Sequence, residues 1–564
     1  MRTTGIQAFL DMLHAAGVRY IFGNPGTTEL PLNDALVADR RIQYILGLQE
    51  VPVMGMADGY AMASGQLGVV NLHISCGLGN AMGMLYNAHR EGTPLLVTAG
   101  QQDRRLRFEE PILTSDMVSV ARPWTKWSAE VDRVEDLPSA LRRAIQVALT
   151  PPTGPVFLSI PIDVQREEAE LDVTVPARLD ARVRPPLEAL RRAAEVLAAA
   201  KCPGILAGSR VVERSATQEL VAIAERLGAP AISESGTTHG RLGFPADHPL
   251  YGQCLPLWSP EVRERLAEFD VLLVCGMDLL RQYVYHEPSR AIPEHIRLIH
   301  LDEDPWQIGK NYPVDVGLLG DTKSGLAELD ALLASAMNES QVAQAQSRRR
   351  SREEKHAAQR LKLKAEFDGQ LDARPLTPLA MMGSIARVLP ENVAVVEEAV
   401  TTTNTYLERL GAHRNTTGYF AHRGWALGWG LGCAIGAKLA WPERPVLAIL
   451  GEGAAMYGIQ GLWSAAHHRI PVTFVIANNA QYQILKVGAR GLQLPHALAG
   501  KYESLEITEP EIDLVSLAKS LGVDAERITE PDQLSAALEK SWHSDRPRLI
   551  DVPITRTSPP RMEY

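Results

Sequence analysis

Three doubly wound α/β units, each built on a parallel sheet, are what this sequence predicts. Short apolar runs that end at glycine or asparagine turns alternate with longer amphipathic stretches along most of the chain, the pattern of successive βαβ units. A chain of 564 residues also exceeds what one core holds, and at ~150 residues per unit it divides into three or four domains.

The elements follow in order. In the first unit a helix is predicted over 4–16, then strands over 20–22, 44–46, 69–74, 94–99 and 156–160. Between them lies a helix over 51–64 with Val51, Met54, Ala57 and Tyr60 on its apolar face. Residues 1–175 are therefore expected to form one domain, and 167–186, acidic and then proline-bearing, a linker. A second unit, 187–335, carries strands over 204–207, 231–233, 271–275 and 298–301. Its Gly276-Met277-Asp278 turn offers no GxGxxG phosphate fingerprint, so its role reads as structural. Residues 336–372 hold Arg348-Arg349-Arg350 with little apolar periodicity and read as a solvated helical connector, with a basic binding patch as the alternative. The third unit, 373–564, has strands over 394–396, 446–450, 472–476 and 548–552 and a helix over 459–468.

Composition excludes several classes. Hydrophobic residues at 45% and charged residues at 22% fit a globular protein. A net charge of -10 and no basic face interleaved with aromatics argue against nucleic acid. The five cysteines form no CxxC pair, so neither a disulfide framework nor a zinc site is expected. With no signal-like start and no apolar run near eighteen residues, a cytoplasmic protein that neither spans nor binds a membrane is expected.

The densest chemistry is Gly451-Glu452-Gly453 with Asn478-Asn479. Both follow apolar strands, and open parallel sheets bind ligands at the carboxyl ends of strands. A carboxylate and an amide oxygen beside glycines suit a hard cation carrying a diphosphate; an ordinary βα turn followed by an asparagine turn suits the same letters. In the first unit, Gly26-Thr27-Thr28 is a helix N-cap or an anion site. Glu50 at a helix start is a dipole partner or a functional acid. His73 is a hydrogen-bonded structural residue or a proton carrier.

Read in order, FGNPGTTELP, LQEVPVMGMADGYA, NLHISCGLGNAMG, PLLVTAGQQ, TGPVFLSIP and then GEG with NN resemble the thiamine-diphosphate-dependent 2-oxo acid decarboxylase and acetolactate synthase superfamily, benzoylformate decarboxylases most of all. The resemblance implies a pyrimidine-binding domain, a middle domain and a diphosphate-binding domain. It implies thiamine diphosphate held between the first domain of one subunit and the third of another, hence a homodimer or a dimer of dimers. The activity implied is non-oxidative decarboxylation of an aryl or branched 2-oxo acid with a carboligase side activity. A C–C bond-forming or bond-splitting enzyme, like acetolactate synthase or 2-hydroxyacyl-CoA lyase, or a catalytically silent paralogue, are the other implied readings.

Residue roles carry over by position. Glu50 would bond the aminopyrimidine N1′, and His73 would move protons near the substrate. Thr27 stands where the family has a serine against the substrate carboxylate, and His286 matches a second family histidine in a stretch that carries one extra residue. Glu452, the Asn479 side chain and the Gln481 carbonyl would hold magnesium. The family normally has Asp where Glu452 stands, which brings calcium or manganese into consideration. Thr401, Thr402 and the amides of Gly453 and Ala454 would meet the phosphates. Leu427 would wedge the cofactor, with Gly26, Gly451 and Leu485 also beside it, and Val400, Ile484, Leu485 and Gly488 would line the acyl pocket. Arg423 would face either a large anionic substrate or solvent.

Overall fold

The structure is a computed structural model and describes residues 2–175, 177–234, 240–281 and 285–556. The apolar runs form the inner strands of three six-stranded sheets, every adjacent pair parallel. The first runs in the order Gln43–Leu46, Tyr20–Gly23, Gly68–Leu72, Leu95–Gln101, Val156–Pro161, Trp127–Glu130. The second is Tyr251–Cys254, Ala231–Ser233, Pro203–Ala207, Val271–Cys275, Arg297–Asp302, Val316–Leu319. The third is Tyr419–Phe420, Ala394–Glu398, Val446–Gly451, Thr473–Asn478, Arg548–Pro553, Asp524–Arg527. Strands buried on both faces are continuously apolar because helices cover both sides.

Within the three six-stranded sheets, the five strands the sequence did not suggest, Trp127–Glu130, Tyr251–Cys254, Val316–Leu319, Tyr419–Phe420 and Asp524–Arg527, all lie at sheet edges. An edge strand is covered less completely, so its sequence is mixed: Val316–Leu319 alternates buried and exposed, and Trp127–Glu130 is half-buried throughout. The stretch over 167–186 is likewise not all linker, since Glu168–Glu170 pairs antiparallel with Arg2–Thr4. The connector is a single helix, Glu339–Asp368, opened by an Asn338/Gln341 capping box.

At the carboxyl end of the middle sheet, Arg210 is buried between Asp278 and Asp302, 2.8 Å from each.

Two helices join the outer domains. Glu50–Ser64 of the first lies along Trp429–Ala440 of the third, so closely that a Cβ on Gly59 would stand 2.2 Å from the Cys433 carbonyl oxygen and one on Gly436 1.9 Å from that of Met56. Glycine is required at both places. Trp429 Nε1 donates to the buried Asp58 carboxylate at 2.6 Å, and burial pushes Asp58 up to about 7. One apolar cluster runs through this contact from Phe22 and Val70 to Leu450 and Ile476.

Candidate active site

The first-domain half gathers around Glu29. Strand Tyr20–Gly23 leads into a 3-10 turn, Thr27–Glu29, whose last residue turns its carboxylate inward. Glu29 accepts hydrogen bonds from the amides of Gly26 at 3.1 Å and Gly100 at 2.7 Å and from the Thr28 hydroxyl at 2.8 Å. Its Oε2 also lies 2.8 Å from Nδ1 of His73. That pairing assigns a proton to Nδ1 and leaves Nε2 as the acceptor. Gly26 lies under the same ring: a Cβ there would come within 2.0 Å of His73 Nδ1. Thr27 is exposed at the rim of this turn.

Glu50 begins the helix Glu50–Ser64, buried, and its Oε2 accepts from Nδ2 of Asn80 at 3.1 Å. Glu29 and Asn80 are partners that sequence reasoning missed. Both lie inside the quoted motifs, yet nothing in their spacing shows that a buried carboxylate orients the histidine or that an amide holds the glutamate.

The third-domain half is built on adjacent strands. Glu398 and Leu450 are register partners, as are Gly451 and Ala477, so the segments after each strand emerge together at the carboxyl edge. Thr401 and Thr402 sit in the short helix Val400–Thr403, Thr402 buried and Thr401 half-buried. Glu452 opens the short helix Glu452–Ala455, which contains Gly453 and Ala454, and is 4% exposed. Its carboxylate accepts the amides of Gln481 at 3.0 Å and Asn479 at 3.4 Å, and Oδ1 of Asn479 accepts the same Gln481 amide at 3.1 Å. Two hard oxygen donors therefore converge on one turn. The Gln481 side chain is engaged with Lys486 and with the Arg556 carbonyl, which leaves its own backbone carbonyl as the remaining donor.

This half fits a metal-bound diphosphate. Among the described residues no cationic side chain pairs with Glu452, while burial, and further the negative charge of Asp551, holds its carboxyl above the ordinary glutamate range. A buried carboxylate without a counter-charge is costly, and a divalent cation supplies the missing charge.

The halves meet at Leu427. Glu398 accepts the amides of Gly428, Trp429 and Gly430 at 3.0 to 3.1 Å, which fixes the turn after Leu427. Gly428 has φ +95°, and a Cβ there would press on Tyr457 and stand 3.1 Å from Val51, the neighbour of Glu50. Glu398 is a second site-shaping acid that the sequence did not announce. Within the chain, the start of the helix Glu50–Ser64 thus packs beside the turn that follows Leu427.

Leu485 is exposed on the helix Gln483–Gly491, Ile484 and Val400 are half-buried, and a Cβ on Gly488 would meet nothing within 4 Å. His286 makes no recorded contact with Glu50 or His73. It packs edge-on against Trp258 with centroids 5.3 Å apart, and Trp258 in turn comes within 3.7 Å of a Cβ position on Gly491. This places it at the seam with the pocket helix, with Nε2 buried and unpartnered. Arg423 does not meet the solvent-facing expectation. It is buried, its amide and Nε bonded to Glu91 and a terminal nitrogen 3.3 Å from Glu213, so it does not face solvent, although it lines a small pocket beside Asp278 and Arg281.

Three parallel-sheet domains, a buried helix-opening glutamate in the first, and a glycine-flanked acid joined to an asparagine turn in the third define the class of enzymes that hold a diphosphate cofactor between two α/β domains. The thiamine pyrophosphate enzyme N-terminal TPP binding domain matches residues 3–117, the central domain 190–329 and the C-terminal TPP binding domain 399–552. Benzoylformate decarboxylase of Pseudomonas aeruginosa is 34% identical over 558 residues, 98% of this chain and 99% of that protein. A probable acetolactate synthase large subunit of Methanocaldococcus jannaschii is 29% identical over 98% of this chain and 92% of its own length. The structure of Rhodococcus jostii thiamine diphosphate-dependent 4-hydroxybenzoylformate decarboxylase is similar with a TM-score of 0.85, 29% identity, and coverage of 98% of this chain and all of that one. The chain belongs to the thiamine pyrophosphate enzyme family.

Proposed function

We propose that this thiamine-diphosphate-dependent enzyme is a non-oxidative decarboxylase of an aryl or branched 2-oxo acid, with carboligation as a side activity. The observation that carries this reading is the Glu29–His73 pair over Gly26, a proton carrier of fixed tautomer. When bound, thiamine diphosphate would supply a nucleophilic carbon and an electron sink for the pair left behind as carbon dioxide departs. Glu50 holds a proton at the pyrimidine N1′. Nε2 of His73 takes and returns protons at the reacting carbon, with Glu29 fixing its ring. The Thr27 hydroxyl meets the substrate carboxylate, and His286 approaches from the middle-domain seam. Leu427 wedges the cofactor, Thr401, Thr402 and the amides of Gly453 and Ala454 meet its phosphates, and Gly26, Gly451 and Leu485 close around it. Glu452, Oδ1 of Asn479 and the Gln481 carbonyl hold magnesium, or calcium or manganese. Benzoylformate supplied to the loaded enzyme should release carbon dioxide and benzaldehyde in equal amounts. Intact cofactor binding with no release would overturn the reading.

A second reading, a C–C bond-forming or bond-splitting enzyme, draws support from the open space at Gly488 and from the acetolactate synthase relative. Pyruvate converted to acetolactate, with benzoylformate untouched, would favour it.

For the assembly we propose a homodimer or dimer of dimers with sites shared between subunits. Exposed apolar side chains on one first-domain segment, Leu106, Phe108, Ile112 and Val120, support a partner there. Co-expressing Glu50→Gln and Glu452→Ala chains discriminates the arrangements. With shared sites, mixed dimers regain one intact site, so activity returns to roughly a quarter of wild type under random pairing. With sites inside one chain, every site carries a defect and none returns.

A further inference from the structure

The connector helix forms one wall of a trough remote from the active site. Two cavities of about 310 and 380 Å³ share Tyr251, Gln253, His356 and Gln359 and so adjoin. They lie at the amino ends of the middle strands, since Pro230 and Phe269 in the wall precede Ala231–Ser233 and Val271–Cys275. The Arg348-Arg349-Arg350 run is spent elsewhere: Arg348 bonds the Leu227 and Lys201 carbonyls, and Arg349 pairs with Glu225. The cations further along the helix face the trough.

Their charge is only partly balanced. Arg352 pairs with Glu268 at 2.8 Å and Lys362 with Glu366 at 3.8 Å. Among the described residues, no carboxylate lies within ion-pair distance of Arg265, Lys355 or Arg360. Arg265 and Arg360 each donate one terminal nitrogen to a backbone carbonyl, of Gly252 and Ala246, and keep Nε without a partner. Burial lowers both guanidinium pKa values. Burial and the charge of Arg360 push His356 down to about 4, so at neutral pH the imidazole is uncharged. Glu264, Glu268 and Glu366 also stand in the walls, but Arg265, Arg352 and Lys355 around the first cavity and Arg360 and Lys362 around the second outnumber them. An excess of cations around adjoining cavities favours a multiply charged anion with several acceptor oxygens.

We propose that this trough binds a small organic phosphate, its dianion among Arg265, Lys355 and Arg360 and a flat apolar group against Pro230, Ile232 and Phe269. The combined size lies in the range of small-molecule sites. Arg409, in the same wall, ends the helix Tyr406–Arg409 that follows the helix bearing Thr401 and Thr402 along the chain.

The test is calorimetric titration of phenyl phosphate into enzyme saturated with thiamine diphosphate and magnesium, so that the cofactor site is already filled. One saturable site per chain is expected, weakening with added salt; inorganic phosphate should bind more weakly and phenol not at all. Arg360→Met should weaken binding about 10-fold, and Lys355→Met, at an exposed position that does not support the fold, about 3-fold. No saturable binding, or an affinity unchanged in the Lys355→Met, Arg360→Met double variant, would overturn the proposal.

Discussion

Glu50→Gln is expected to lower kcat by about 10²–10⁴-fold, the range for removing a general acid–base group, while the affinity for thiamine diphosphate with magnesium stays within about 3-fold of wild type. The reasoning is local. Glutamine fills the same volume at the start of the helix Glu50–Ser64 and can still pair with Asn80, so the helix and its contact with Trp429–Ala440 persist. What it would lose is the ability to exchange a proton with the cofactor's ring nitrogen. The residues proposed to meet the diphosphate, Glu452, Asn479 and the Val400–Thr403 segment, belong to the other half of the site and do not include Glu50. Tryptophan fluorescence titration gives the affinity, and carbon dioxide release gives the rate. A variant that loses both together would mean that Glu50 supports the binding site as a structural group; a variant that keeps full rate would remove it from the chemistry.

How much of this was legible in the sequence follows from where each residue's environment comes from. Inner strands such as Val446–Gly451 announce themselves because both faces are buried and the run is apolar without interruption. Edge strands do not, because Asp524–Arg527 and Val316–Leu319 need only half a cover. The site divides in the same way. Glu50, His73, Glu452 and Asn479 stand in local motifs at strand ends, and their motifs carried the resemblance. Glu29, Asn80 and Glu398 matter through partners 44, 30 and 30 residues away, and a carboxylate's burial under a distant turn leaves no local trace. Arg423 shows the converse: its letter suggested an anion receptor, but its two acids, Glu91 and Glu213, come from other domains' helices.

Glu452 carries the other large effect. Glu452→Gln keeps the size and can still accept the amides of Gln481 and Asn479, but it removes the charge. Affinity for magnesium, and for the cofactor that depends on it, should fall at least about 100-fold, with the fold intact by circular dichroism. Glu452→Asp draws the carboxylate back by about one bond length, ~1.5 Å; it should keep metal-dependent activity, since the family carries the shorter acid at this place. The pH dependence has a definite sign. Burial raises the Glu452 carboxyl pKa, so the metal-free fold holds its proton more tightly than the unfolded chain. In the metal-free protein this group's contribution to stability is present at low pH and is lost as pH rises through its folded value. Metal binding needs the ionised form, so it strengthens over the same rise. The gap in Tm between loaded and metal-free enzyme should therefore widen as pH rises through the raised Glu452 carboxyl pKa, and the widening should vanish in Glu452→Gln. A gap that is flat with pH in the wild type, or magnesium affinity unchanged in the glutamine variant, would show that the metal is held without this carboxylate.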